Sequence, residues 1–140
     1  MELEKLIKSL KYIPKIGTSI GYFLLLIASM FLFFGKKFPS LEIKPLLNIL
    51  PNYYNHISNF TLSFLIYITI GYVGLIAGMK TKHLIIIGIL IVLVNLIIEF
   101  FISILNTLDM IDAVYGIAGT VFGLIFLLIA KKYGLVKNEL

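Results

Sequence analysis

The sequence predicts an all-α membrane protein, a four-transmembrane-helix bundle preceded by a short N-terminal amphipathic helix at the interface. Three observations carry this. Several apolar runs approach the roughly 20 residues needed to cross a hydrocarbon core of about 30 Å. Apolar residues make up 60% of the chain and charged residues only 14%, where soluble domains average about half and about a quarter. The charges also fall in short intervals between the runs, and the mean hydropathy is +1.05. A length of 140 residues has room for one domain, 1–140.

Residues 1 to 15 place Leu3, Leu6, Ile7 and Leu10 on one helical stripe, with Lys5, Lys8 and Lys11 largely off it. This is the pattern of a basic amphipathic helix on an anionic membrane surface, ended by Pro14. The apolar run that follows is too long for a signal-peptide core and lacks a small-residue cleavage site, so an uncleaved anchor is expected. The first span covers approximately 16–34, with Gly17 and Gly21 forming a GxxxG near its start. Residues 35–58 form the longest polar connection. Its apolar stretch 41–50 is interrupted by Pro45 and too short to cross, so it is placed at the interface, with Tyr53 and Tyr54 at headgroup level.

The second span, approximately 60–79, carries Asn59, Ser63, Gly71, Gly74 and Gly78 on a small or polar face suited to helix packing. The tight Lys80–Lys82 connection makes it an antiparallel neighbour of the third span, approximately 83–105. There Gly88, Asn95, Glu99 and Asn106 share one face. The fourth span, approximately 111–130, repeats the device with Asp112, Gly116, Gly119 and Gly123, and ends at Lys131 and Lys132.

Lysine is the only strong base, since the chain has no arginine, and the net charge is +5. Lysines concentrate on the side of the N-terminal segment, the second connection and the tail, which places both termini in the cytoplasm of a multi-pass cell-membrane protein. Asn55, His56 and Asn59 then share the outer membrane face with Asn106, Asp109 and Asp112, and Glu99 lies about 10 Å deeper than Asn106 at 1.5 Å per residue. Polar residues from three helices are expected to converge there.

Nucleic acid is excluded as a partner, because the lysines flank apolar runs and form no basic stripe with interleaved aromatics. The absence of cysteine removes disulfides, thiolate catalysis and cysteine metal sites. No nucleotide loop, HExxH, GxSxG or paired-histidine zinc motif occurs. No catalytic residue, metal site or cofactor is therefore assigned; nothing supplies a nucleophile, and an enzyme acting on lipid-linked substrates stays open as the less favoured class.

Glu99, then Asn106, Asp109, Asp112, Gly116, Gly119 and Gly123, resemble a pattern of the VanZ-like family of small membrane proteins. In that family a glutamate late in one helix is followed by Arg-x-x-Asp-x-x-Asp-x-x-x-Asn-x-x-Gly-x-x-x-Gly. Asn106 stands at the arginine position and Gly116 at the asparagine position, and Ile102 stands where the family has a glutamine. An upstream Asp-Lys-x-x-His-Phe motif is echoed by Asn55-His56-Ile57-Ser58-Asn59-Phe60, of which Phe60 is retained. The resemblance covers about half of the chain. It implies a four-helix membrane protein whose motif residues face the envelope side.

Each candidate residue has a bland and a sharp reading. Asp109 suits the N-cap of the fourth span and Asp112 the acidic place of a capping box, both at the positive end of the helix dipole. Alternatively, Asp112 points into the bundle and binds a cation or polar headgroup. Glu99 within a span costs ~2.5–3.5 kcal/mol at the helix centre. It is therefore expected to face the bundle and pair with Asn59, Asn106 or His56, or to be protonated. His56 reads as a solvated loop histidine, and the glycines as packing surface. The expected partners are the lipid bilayer and, at the acidic pocket, an envelope lipid, a cell-wall precursor or a cation. A proton-coupled transporter cycling Glu99 in a homo-oligomer, and an accessory subunit without a site, are the competing classes.

Overall fold

A computed structural model describes residues 10–50, 52–101 and 109–139. Four long helices dominate it: α1 (Ile16–Gly35), α3 (Tyr53–Ile76), α4 (Thr81–Phe101) and α5 (Met110–Tyr133). At 1.5 Å per residue the shortest is about 30 Å long, the thickness of a bilayer core. Each is apolar enough to cross a membrane, and the chain is a multi-pass membrane protein with an all-α bundle. Between α1 and α3 lie a 3₁₀ turn (Pro39–Leu41) and a six-residue helix, α2 (Lys44–Ile49). Pro45 opens α2 rather than interrupting it, because proline lacks only an N–H that a first helical turn leaves unpaired anyway.

Helices α3 and α5 run parallel at the centre and make the most extensive contact of any pair. Helix α1 packs on one side of α3 and α4 lies mainly against α5. The outward faces of α1 and α4 carry Ile20, Phe23, Ile27, Ile86 and Ile97, all exposed, which is the apolar belt a bilayer covers. Inside, Tyr67, Ile68, Leu75, Leu84 and Leu127 are fully buried. The Tyr67 hydroxyl donates to the Leu84 carbonyl at 2.8 Å, and Asn95 donates to the Ser63 hydroxyl at 2.9 Å. These two bonds join α3 to α4 and satisfy polar groups that lipid could not.

Close approach of α3 and α5 is set by glycine. A β-carbon on Gly119 would meet the backbone carbonyl oxygen of Phe60, and one on Gly123 would lie 3.0 Å from the Tyr67 ring. Gly116 faces the Asn95 amide in the same way, so Gly116, Gly119 and Gly123 form one packing stripe. Gly74 and Gly78 act differently from their expected packing role. Gly78 follows the C-cap Ala77 with φ +96°, a left-handed conformation that glycine adopts at no steric cost. The Gly78 N–H bonds to Leu75 at 2.9 Å and the Met79 N–H to Gly74 at 2.8 Å, the paired bonds of a Schellman stop. The second span accordingly ends at Ile76, three residues earlier than its apolar run.

Its start also differs. Helix α3 begins at Tyr53, seven residues before the run, because Tyr53, Tyr54 and Ile57 are buried in the bundle. The Tyr54 hydroxyl accepts from the Ile43 N–H at 2.7 Å, tying the long connection over this end. At the opposite end the expected interfacial helix meets a correction. Residues 12–14 form a strand, β1 (Tyr12–Pro14), paired antiparallel with β2 (Leu135–Lys137). The fixed φ of Pro14 suits an extended edge position, and Asn138 closes the ribbon by donating to the Leu10 carbonyl at 2.9 Å. The stripe residues Leu3, Leu6 and Ile7 lie outside the described residues, as do 102–105 of the third span.

Candidate functional site

The ends of α1 and α4 and the starts of α3 and α5 meet at the end of the bundle away from the ribbon. Asp109 has the extended backbone of an N-cap, and its carboxylate accepts from the Ile111 N–H at 2.9 Å. Its own N–H donates to Glu99 Oε1 at 2.6 Å. Glu99, only 4% exposed, thus reaches from α4 to hold the start of α5. It performs the task that a capping box would give to Asp112. Neither Asn59 nor His56 is its bonded partner, and Asn106 lies outside the described residues.

Asp112 reaches across to α3. Its Oδ1 lies 2.7 Å from His56 Nδ1, and Asp109 Oδ2 lies 3.6 Å from the same nitrogen. His56 is 9% exposed in the first turn of α3, not a solvated loop residue. A carboxylate oxygen accepts, so Nδ1 is the donor of this pair. The Tyr115 ring lies against the imidazole, 5.4 Å between centroids. The contact arises from register. Gly119 lets α5 touch α3 at Phe60, and one turn nearer the helix starts the next side chain on α3 is His56.

A polar cleft of about 550 Å³ opens over this pair. Asn52, Asn55, Ser58 and Asn59 line one wall, Asp109 and Asp112 another, and Lys36 stands at the end of α1. Lys36 Nζ donates to the Asn55 carbonyl at 2.9 Å and to the Ser58 hydroxyl at 3.3 Å. The cleft thus holds both signs of charge, with the positive end of the α5 dipole directed at its acidic wall. His56, Asp109 and Asp112 can each offer one ligand atom within 4.8 Å of the others.

Sequence reasoning named His56, Asn59, Glu99, Asp109 and Asp112, and these five stand together here. It missed Lys36, Asn52 and Ser58. Asn52, Asn55, His56 and Asn59 recur at three, one and three residues, a helical face that becomes visible once α3 starts at Tyr53. Lys36 gave no signal beyond flanking a span. Comparison with protein families, curated proteins and solved structures finds no match to this chain.

Proposed function

We propose that the chain is a VanZ-like protein of the cell membrane that binds a polar cell-envelope component at this cleft. The observation that carries the reading is the His56–Asp112 pair at 2.7 Å inside a polar cleft at the bundle end. Hydrogen-bonded, nearly buried polar residues are expensive at a membrane boundary and are kept there for binding or transport. The proposed orientation has both termini in the cytoplasm. In its support, Lys11, Lys15, Lys80, Lys82, Lys131, Lys132 and Lys137 lie at the ribbon end, against Lys36, Lys37 and Lys44 at the cleft end. Asn59 occupies the family's histidine position and His56 its lysine position, so the imidazole supplies a partner for the motif carboxylates from one turn away.

Binding is favoured over proton-coupled transport because Glu99 lies level with the start of α5, where it accepts the Asp109 N–H. A proton carrier belongs nearer the midplane. A divalent cation is the second reading, favoured by the three donor atoms of His56, Asp109 and Asp112.

The test is native mass spectrometry of the purified protein with candidate envelope lipids, cell-wall precursors, Mg²⁺ and Zn²⁺. Glu99→Ala and Asp112→Ala are expected to lose the ligand while still inserting into the membrane. Unchanged binding in both variants contradicts the proposal, and retention of metal alone replaces it with the cation reading.

A further inference from the structure

An apolar groove of about 460 Å³ runs between α3 and α4. Its walls are Leu62, Ile66 and Ile70 on α3 and Ile87, Leu90 and Val94 on α4. From Asn59 to Ile70 it extends for about 16 Å of helix, roughly one leaflet of the ~30 Å core. Helices α3 and α4 are tied at the ribbon end by the tight turn after Ala77 and by the Tyr67–Leu84 bond. Towards the cleft they stand apart, with the Asn95–Ser63 bond crossing between them. The groove does not end on a flat surface. Asn59 and Asp112 line both it and the polar cleft, so the apolar groove and the polar cleft adjoin at these two residues.

Resting on the proposed reading of the cleft, we infer that its occupant is a phospholipid with a zwitterionic, primary-amine headgroup. One acyl chain lies in the α3–α4 groove. Charge complementarity selects this chemistry. Lys36 offers a point charge to the phosphate, and Asp109 and Asp112 face it across the cleft to accept from the ammonium. The groove contributes little hydrophobic energy, because neighbouring lipid tails are as apolar as its walls. Its part is positional: it holds the glycerol end of the lipid at Asn59, with the headgroup between the two signs of charge. A purely anionic headgroup would set its charge against two carboxylates, and a bare cation would leave Lys36 and the groove without a role.

The test reconstitutes the full chain in nanodiscs containing phosphatidylethanolamine or phosphatidylglycerol, each with a diazirine near the end of one acyl chain. Phosphatidylethanolamine is expected to label Leu62–Ile70 and Ile87–Val94 selectively. A lost charged hydrogen bond lowers affinity about tenfold or more, so Lys36→Ala and Asp112→Asn should each lower the yield by about that factor. Ile66→Trp, on an exposed face where folding is not at stake, should exclude the chain and lower the yield comparably. Equal labelling by the two lipids, or labelling spread over Ile20 and Ile27 of α1, overturns the inference. If Ile66→Trp labels normally while Asp112→Asn does not, the groove assignment fails and the cleft reading stands. If neither variant changes labelling and glycerophosphoethanolamine does not protect a cysteine at Asn55, both fail.

Discussion

Replacing Gly119 by alanine should separate α3 from α5 and weaken the bundle. The new methyl group would point at the Phe60 carbonyl oxygen, a backbone atom that no change of rotamer can move aside. Overpacking of this kind costs ~1–3 kcal/mol. Alanine recovers up to about 1 kcal/mol through its better helix propensity, leaving a net loss of about 2 kcal/mol where the clash costs its full ~3 kcal/mol. Gly17 and Gly21 provide the control, because a β-carbon at either meets nothing within 4 Å. Their alanine variants gain propensity without a clash. The assay is reversible unfolding in mixed micelles, with all three variants in one detergent series. The expected order places Gly119→Ala below wild type and Gly17→Ala and Gly21→Ala at or above it. Wild-type stability in Gly119→Ala would refute the close crossing, and a marked loss in Gly17→Ala would show that α1 packs on something in the folded protein.

Two further substitutions test the helix ends. Glu99→Gln keeps an oxygen that can accept the Asp109 N–H and should leave the bundle within ~1 kcal/mol of wild type. Glu99→Leu strands that N–H and should lose ~1–3 kcal/mol, both read by the same unfolding series. Gly78→Ala forces a side chain into the left-handed stop of α3, at a cost of ~1–2 kcal/mol. The loss should appear in hydrogen exchange as earlier opening of the turn before Thr81.

Much of the architecture was legible because lipid demands long apolar runs. Three of the four helices begin within two residues of the expected positions, and α1 and α5 keep nearly their expected ends. The glycine stripe of α5 was legible for the same reason, as spacing on a known helix. What escaped notice depended on residues that an apolar run does not contain. The first turns of α3 carry Asn52, Asn55, His56 and Asn59 on one side, which hydropathy assigns to a loop. Their burial depends on Tyr53, Tyr54 and Ile57 packing inward on the other side. The pairing of β1 with β2 joins residues more than 120 positions apart, and three-residue strands leave no periodicity. Gly78 differs from Gly119 only in backbone φ, which spacing cannot reveal. At the site, Glu99 takes the capping task expected of Asp112, because it reaches from α4 to accept the Asp109 N–H.

In the proposed reading, the cleft containing His56 and Asp112 opens to water on the side of the membrane opposite both termini. The chain has no cysteine, so a single cysteine at exposed Asn55, compared with one at Asn138 beside the ribbon, reports it directly. In intact cells a membrane-impermeant maleimide is expected to label Asn55→Cys at once and Asn138→Cys only after permeabilisation. Labelling of both from one side, or of Asn55→Cys only after permeabilisation, would contradict it.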